Sequence, residues 1–166
     1  MKTVVIRDYQ NPDWNQVLKM MTQTMEYHNS IQDPKRFNTY TPNLLRNYLR
    51  GLVTKHRLKK GKLLISVNDT NCLTGFIYGE TDTQDAELRK SAIPSGTIKE
   101  LFVSSEMRKS GVAQKLMAKM EDYLIKNGCT LIRLKDVHSN NIPAQNLYAK
   151  LKYIPRVVEY AKRVDQ

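Results

Sequence analysis

The residues whose types and spacing suit chemistry lie between positions 100 and 113. The stretch RKSGVA, residues 108 to 113, sets Arg108, Lys109 and Ser110 ahead of Gly111, with Val112 and Ala113 opening a helical pattern. A helix N-terminus leaves about four backbone N–H groups without intrahelical partners and carries partial positive charge, which suits phosphate. Gly111 lets backbone approach a ligand closely, Ala113 keeps the next turn uncrowded, and the two cations add charge at the rim. The same residues also fit a polar turn before an ordinary amphipathic helix. A little upstream, Glu100 sits among Ile98, Leu101, Phe102 and Val103. Desolvated in that company, a carboxylate rises toward neutrality and becomes a proton acceptor near working pH. On a solvent-facing position, or paired with one of the many lysines, it is an ordinary surface acid.

These residues need a strand that hands over to a helix, and the patterning supplies both. Residues 97 to 104 read as a strand, and residues 111 to 127 as a helix with Val112, Leu116, Met120 and Leu124 on one stripe, flanked by Ala113, Met117 and Tyr123. Gly128 closes that helix. A first strand is expected over residues 3 to 9, then a helix from Pro12 with Asn11 as N-cap and Trp14, Val17, Leu18, Met21 and Met25 at helical spacing. A polar connection over 29 to 43 leads to a shorter helix from Asn43 to Val53. Strands over 62 to 69 and 72 to 80 flank the turn residues Asp69, Thr70 and Asn71, which is a hairpin pattern. Residues 81 to 96 read as loop, 129 to 137 as strand, 143 to 151 as a short helix with Pro143 in its first turn, and 153 to 164 as a final extended segment. The order β, α, α, β, β, β, α, β, α, β makes a mixed α/β (α+β) fold.

Composition bounds the function. A chain of 166 residues with 40% hydrophobic content forms one domain, residues 1 to 166, that buries about 70% of its unfolded surface. No apolar run approaches the ~20 residues that span a bilayer, and the N-terminal stretch meets Arg7 and Asp8 before a signal-type region develops. A soluble cytoplasmic protein without membrane contact is expected. Cys72 and Cys129 are far apart and His28, His56 and His138 lack ligand spacing, so neither disulfide nor metal is expected. Cys129 reads as buried and inert. The net charge of +11 suits nucleic acid, an anionic membrane or an acidic small ligand without selecting one. Its densest part, KHRLKKGK at 55 to 62, reads as a solvated connection, with RNA or ribosome contact as the alternative. Glu80, Asp82, Asp85 and Glu87 read as an exposed acidic loop, with attraction of a cationic amine as the alternative.

The run from Arg108 to Ala113 resembles the (Gln/Arg)-x-x-Gly-x-(Gly/Ala) signature of the GCN5-related N-acetyltransferases (GNAT), whose loop holds the pyrophosphate of acetyl-coenzyme A. The stretch ELFVSSEMRKSGVAQKLM, residues 100 to 117, resembles that family's fourth strand, loop and third helix, and NNIPAQNLYAKLKY, residues 140 to 153, its Asn-x-x-Ala-x-x-x-Tyr segment through Asn141, Ala144 and Tyr148. Similarity in detail covers residues 97 to 160, and the first half matches in layout. The chain departs from the family where Lys152 and Tyr153 stand in place of a Gly-Phe or Gly-Tyr pair. The resemblance implies a mostly antiparallel central sheet flanked by helices, and an acetyl-CoA-dependent N-acetyltransferase acting by direct attack in a ternary complex.

Acetyl transfer to an amine whose pKa is about 10.4 requires a base or a water chain to remove a proton, and Glu100 is the candidate base. The oxyanion needs a donor, for which a backbone N–H around Phe102 or Val103 serves if the strand ladder is interrupted there. The resemblance implies Tyr148 as the acid for the departing thiolate, with a core tyrosine beside Leu147 and Leu151 as the alternative, and Asn141 as a partner of the pantetheine arm, with a loop residue or N-terminal cap as the alternative. It adds Leu101, Phe102, Val103 and Ala144 to the cofactor site beside the loop from Arg108 to Ala113, and makes Tyr27, Phe37 and Tyr40 candidate walls of the acceptor site. A small-molecule amine is the expected acceptor, for a monomer or homodimer. The alternatives are a protein or peptide acceptor, such as a ribosomal or N-terminal amine, and a non-catalytic module of the same fold that binds coenzyme A or nucleic acid.

Overall fold

The computed structural model describes residues 4–31, 41–82 and 93–158. Its elements are β1 (Val4–Asp8), α1 (Trp14–Ile31), α2 (Pro42–Arg57), β2 (Lys62–Asn68), β3 (Leu73–Thr81), β4 (Ser95–Val103), α3 (Val112–Lys126), β5 (Leu131–Leu134) and α4 (Ile142–Lys150). The five strands form one sheet in the order β1-β2-β3-β4-β5. Pairing is antiparallel from β1 to β4 and parallel between β4 and β5.

Helices cover both faces, which explains why β2 and β3 are almost continuously buried along KLLISVN and LTGFIYGET. On one face α1 and α2 seal Val17, Met21, Leu49, Leu63, Ile65, Phe76 and Tyr78. On the other, α3 lays Val112, Leu116, Met117, Met120 and Leu124 on Leu64, Ile77 and Ile98. Each such side chain contributes about 1.5–3 kcal/mol on burial. The close fit of α3 depends on missing side chains beneath it: a Cβ at Gly79 would stand 2.8 Å from Met120 Sδ, and one at Gly96 2.7 Å from Leu124 Cδ2.

Several boundaries differ from the sequence pattern. The first helical segment starts with a 3₁₀ turn, Asn11–Asp13, whose N-cap is Gln10 rather than Asn11. Asp13 explains the shift: its carboxylate takes the Gln10 N–H at 2.8 Å and both Arg7 guanidinium nitrogens at 2.7 and 2.9 Å. The second helix runs to Arg57, past Val53, because Leu52 and Val53 complete its buried face and Lys55, His56 and Arg57 suit a C-terminal turn. The strand expected over 129 to 137 shortens to Leu131–Leu134. Residues 153 to 158 form no strand, and Ile154, Val157 and Val158 are exposed. The extended pattern there is not matched by a sheet partner among the described residues, and the rest of the expected segment, residues 159 to 164, lies outside them.

One end of the β4–β5 pair is tied firmly. The Asp82 carboxylate accepts from Ser95 Oγ at 3.0 Å, from Thr97 Oγ1 at 2.8 Å and from Arg133. Glu80, likewise expected in an exposed acidic loop, is bound by Lys55, Lys99 and the Tyr78 hydroxyl. Those two acids therefore lace strands together, while Asp85 and Glu87 lie outside the described residues.

Candidate active site

From the tied end, β4 and β5 pair only as far as Ile98 and Leu134. Lys99 to Val103 continue along β4 without a partner on that side among the described residues, so the two strands part and leave a gap. The register between β3 and β4 shifts at the same place: Tyr78 faces Glu100 and Gly79 faces Ile98, which leaves Lys99 as an extra residue. Such a bulge re-aims the side chains that follow it. Ser104 N–H donates to Thr74 O at 2.9 Å on the β3 side. Strand alternation then turns the Phe102 N–H to β3 and the N–H groups of Leu101 and Val103 toward the gap. Of the two donors expected from sequence, Val103 faces the opening and Phe102 does not. The Phe102 ring instead stacks on Phe76 at 6.1 Å on the α1/α2 face, while Leu101 and Val103 pack on the α3 side.

Glu100 lies on the α1/α2 face, where the Tyr48 hydroxyl of α2 donates to its Oε1 at 2.8 Å. Burial pushes the Glu100 carboxyl up to about 7. The Tyr48 hydrogen bond opposes that rise, the negative charge of Asp136 adds to it, and Lys99 weakly offsets it. A carboxylate poised there exchanges protons near neutral pH. Tyr48 itself is held well above the usual phenol range by burial and by the Glu100 charge. Neither Tyr48 nor Asp136 stands out in sequence. Tyr48 reaches Glu100 from 52 positions away, and only the crossing of α2 over the sheet joins them.

The loop after β4 makes a 3₁₀ turn over Ser105–Met107 and then enters α3. Lys109 and Gly111 have φ of 61° and 86°, both left-handed. Ser110 Oγ donates to Met107 O at 2.6 Å, folding the loop on itself. Thr41 caps α2 and Asn141 caps α4 with side-chain oxygens, but α3 has no side-chain cap. Among the described residues no side chain caps its first N–H groups, from Val112 on, and left-handed turns of this kind make concave anion sites. Arg108, which belongs to this loop, extends its side chain toward α1, its Cζ 5.9 Å from the centre of the Tyr27 ring. It also lines a surface cavity of about 370 Å³ with Gln16, Lys19, Gln23, Phe102 and Ser104.

Across the gap, Asn141 Oδ1 accepts from Ala144 N–H at 3.3 Å and from the Tyr27 hydroxyl at 3.4 Å. Tyr148, on the same helix, is partly buried against the α3 core, and its ring meets that of Tyr153 at 6.2 Å. Burial and the charge of Glu100 push its hydroxyl up to about 12, so Tyr148 stays protonated and within electrostatic reach of Glu100. The turn after α4 carries Lys152 at φ 67°, a left-handed position that glycine adopts with less strain.

The fold gathers Glu100, Tyr148, Asn141 and the loop from Arg108 to Ala113 around one gap, although they come from three separate elements. Tyr27, expected as an acceptor wall, stands between Arg108 and Asn141. Phe37 and Tyr40 lie outside the described residues. The basic stretch is partly occupied: Lys55 pairs with Glu80, Lys62 with Asp8, and Arg57 donates to Asn11. Within it, His56 Nδ1 accepts the Leu63 N–H at 3.2 Å. Cys129 is buried, and burial raises its thiol. Among the described residues no cluster of three or more His, Cys, Asp or Glu could hold a metal ion, and no helix is long and apolar enough to cross a membrane.

Known structures share this fold. A variant of protein BH1408 from Bacillus halodurans superposes with a TM-score of 0.84 at 18% identity, over 96% of this chain and 99% of that one. The aminoglycoside N-acetyltransferase AAC(6')-Iy in complex with CoA gives a TM-score of 0.72 at 17% identity, over 99% and 97%. Glucosamine-6-phosphate N-acetyltransferase from Arabidopsis thaliana gives 0.68 at 14%, over 99% and 100%. At these identities the likeness shows the fold. No curated protein matches the sequence. The model of the acetyltransferase (GNAT) family matches residues 16–153, which takes in both helices of the first face, the gap, the loop into α3 and α4, and the chain belongs to that family.

Proposed function

We propose that this protein is an N-acetyltransferase that moves the acetyl group of acetyl-CoA to a primary amine of a small molecule, by direct attack in a ternary complex. The observation that carries the reading is Glu100, held near pKa 7 beside the gap where β4 leaves β5. The residues around the gap fit coenzyme A. The uncapped N-terminus of α3, with Gly111 at φ 86° and Arg108 and Lys109 at its rim, suits a pyrophosphate. The unpaired edge of β4 offers backbone groups to an extended amide arm, as an added strand would use them. Asn141 and Ala144, at the start of α4, form the opposite wall. When bound there, acetyl-CoA supplies an activated acetyl thioester.

The chain's own residues supply the proton traffic. Glu100 in its ionised form takes a proton from the incoming ammonium, directly or through water, and its raised pKa brings it closer to the amine. The Leu101 and Val103 N–H groups face the gap and are placed to stabilise charge on an acyl oxygen. Tyr148, protonated throughout the working range, holds the proton that a leaving thiolate needs. Glu100 and Asp136 make the acceptor side locally negative within a basic chain, which favours a cationic amine. The neighbours named above as aminoglycoside and glucosamine-6-phosphate acetyltransferases act on small amines, and we carry that class to this chain as part of the proposal.

The test is calorimetric titration of acetyl-CoA into the wild type and Gly111→Trp, followed by an amine-library screen for thiol release. Binding by the wild type alone, with turnover of at least one small amine, supports the reading. Absence of wild-type binding refutes it. Binding without turnover of any amine or peptide points to a non-catalytic coenzyme A module, and turnover confined to peptides to a protein acceptor.

A further inference from the structure

Tyr27 lies near the C-terminal end of α1, outside the motifs that identify the cofactor loop, yet it touches both rims of the gap. Its ring carries the Arg108 guanidinium at 5.9 Å, and its hydroxyl donates to Asn141 Oδ1 at 3.4 Å. Arg108 belongs to the loop between β4 and α3, and Asn141 caps α4. Two further contacts seat the end of α1 on the segment before α4: Asn140 Nδ2 donates to Ile31 O at 2.8 Å, and the rings of His28 and His138 meet at 4.8 Å. The end of α1 therefore braces the two walls whose separation defines the cleft.

We infer that Tyr27 is a positioning residue for coenzyme A rather than a wall of the acceptor pocket. It holds the Arg108 guanidinium at the phosphate loop and the Asn141 cap at the far rim before the cofactor arrives. A free arginine side chain loses rotamer freedom when it captures a phosphate, whereas one already stacked on a ring has lost much of it on folding. A guanidinium held over an aromatic face keeps its N–H edge available to an anion. The inference rests on the coenzyme A reading above and extends it to a residue that the motif does not contain.

The experiment is calorimetric titration of coenzyme A into wild type, Tyr27→Leu and Tyr27→Phe, with Arg108→Ala made in the wild-type and Tyr27→Leu backgrounds. Steady-state constants follow for both substrates. Tyr27→Leu is expected to raise the coenzyme A Kd about tenfold, and Tyr27→Phe, which keeps the ring, about two- to threefold. At saturating coenzyme A, kcat and the acceptor KM are expected to stay within about twofold of wild type. Arg108→Ala is expected to cost less in the Tyr27→Leu background than in wild type, a coupling that a merely structural tyrosine would not produce. Equal affinity of wild type and Tyr27→Leu overturns the inference and leaves the function standing. A raised acceptor KM with unchanged coenzyme A affinity also overturns it, returning Tyr27 to the acceptor wall. Should Tyr27→Leu fail to fold, a Tyr27→Phe protein with wild-type affinity overturns it instead. A wild type that does not bind coenzyme A removes the function and, with it, this inference.

Discussion

The hydroxyl of Tyr48 tunes the proposed base, and removing it gives a quantitative test of the site. Tyr48→Phe deletes the 2.8 Å hydrogen bond to Glu100 Oε1 and keeps the ring. That bond stabilises the ionised carboxylate and is the main influence opposing the rise to about 7 caused by burial. A hydrogen bond to a charged group contributes about 1.5–3 kcal/mol, and with Tyr48 41% exposed we take about half of it. At 1.36 kcal/mol per pKa unit, the Glu100 pKa should rise by about 0.5–1. The acidic limb of kcat/KM should move to higher pH by that amount. At pH 7 the rate should fall about two- to fivefold, from the smaller ionised fraction, and recover near pH 9. The assay is release of the coenzyme A thiol across pH with a competent amine. A limb that stays in place, or moves to lower pH, refutes the assignment of Glu100 as the titrating base.

Other residues give independent tests. Glu100→Gln should nearly abolish turnover, and it should stabilise the fold at pH 8. The folded carboxyl is raised to about 7, so its ionisation opposes folding as pH climbs from the ordinary carboxylate range, by up to about 3 kcal/mol. Thermal unfolding of the variant and wild type should diverge at pH 8 and converge near pH 4. Asp13→Ala should cost about 2–3 kcal/mol in urea unfolding, since it removes the carboxylate that pairs with Arg7 and leaves the Gln10 N–H without its acceptor at a buried site. His56 is held below its ordinary value chiefly by burial. The unfolded chain therefore takes up that proton first, so His56 contributes fully to stability above about pH 6.5 and loses that contribution as pH falls toward the folded value. Urea midpoints at pH 7.5 and 5.5 should show a loss that His56→Gln reduces. Gly111→Ala should cost about 1 kcal/mol from left-handed strain alone, because its Cβ would meet nothing closer than Gln114 Oε1 at 3.6 Å.

Much of this molecule is written in local sequence. The stripe of Val112, Leu116, Met120 and Leu124 fixes a helix because one face of a 3.6-residue repeat must be buried, and Gly111 and Gly128 mark its ends because both adopt a left-handed backbone. The loop from Arg108 to Ala113 was legible for the same reason: glycine, small residue and cation spacing are local properties. Where burial depends on partners, local pattern misleads. Ile154, Val157 and Val158 suggest a strand, but a strand exists only if another edge pairs with it, and these three residues remain exposed. Glu80 and Asp82 read as a solvated acidic loop because their cations, Lys55, Lys99 and Arg133, are distant in sequence. The sequence by itself determined the elements as far as α4, their order, and the candidate base on a strand that leads into a helix start without a side-chain cap. Only the tertiary structure decided that β4 parts from β5 after Ile98, that burial raises the Glu100 carboxyl while Tyr48 and Asp136 adjust it, and that Tyr27 reaches both Arg108 and Asn141. Each of these rests on contacts between distant segments, and such contacts are set by packing of the whole sheet rather than by the spacing of neighbours along the chain.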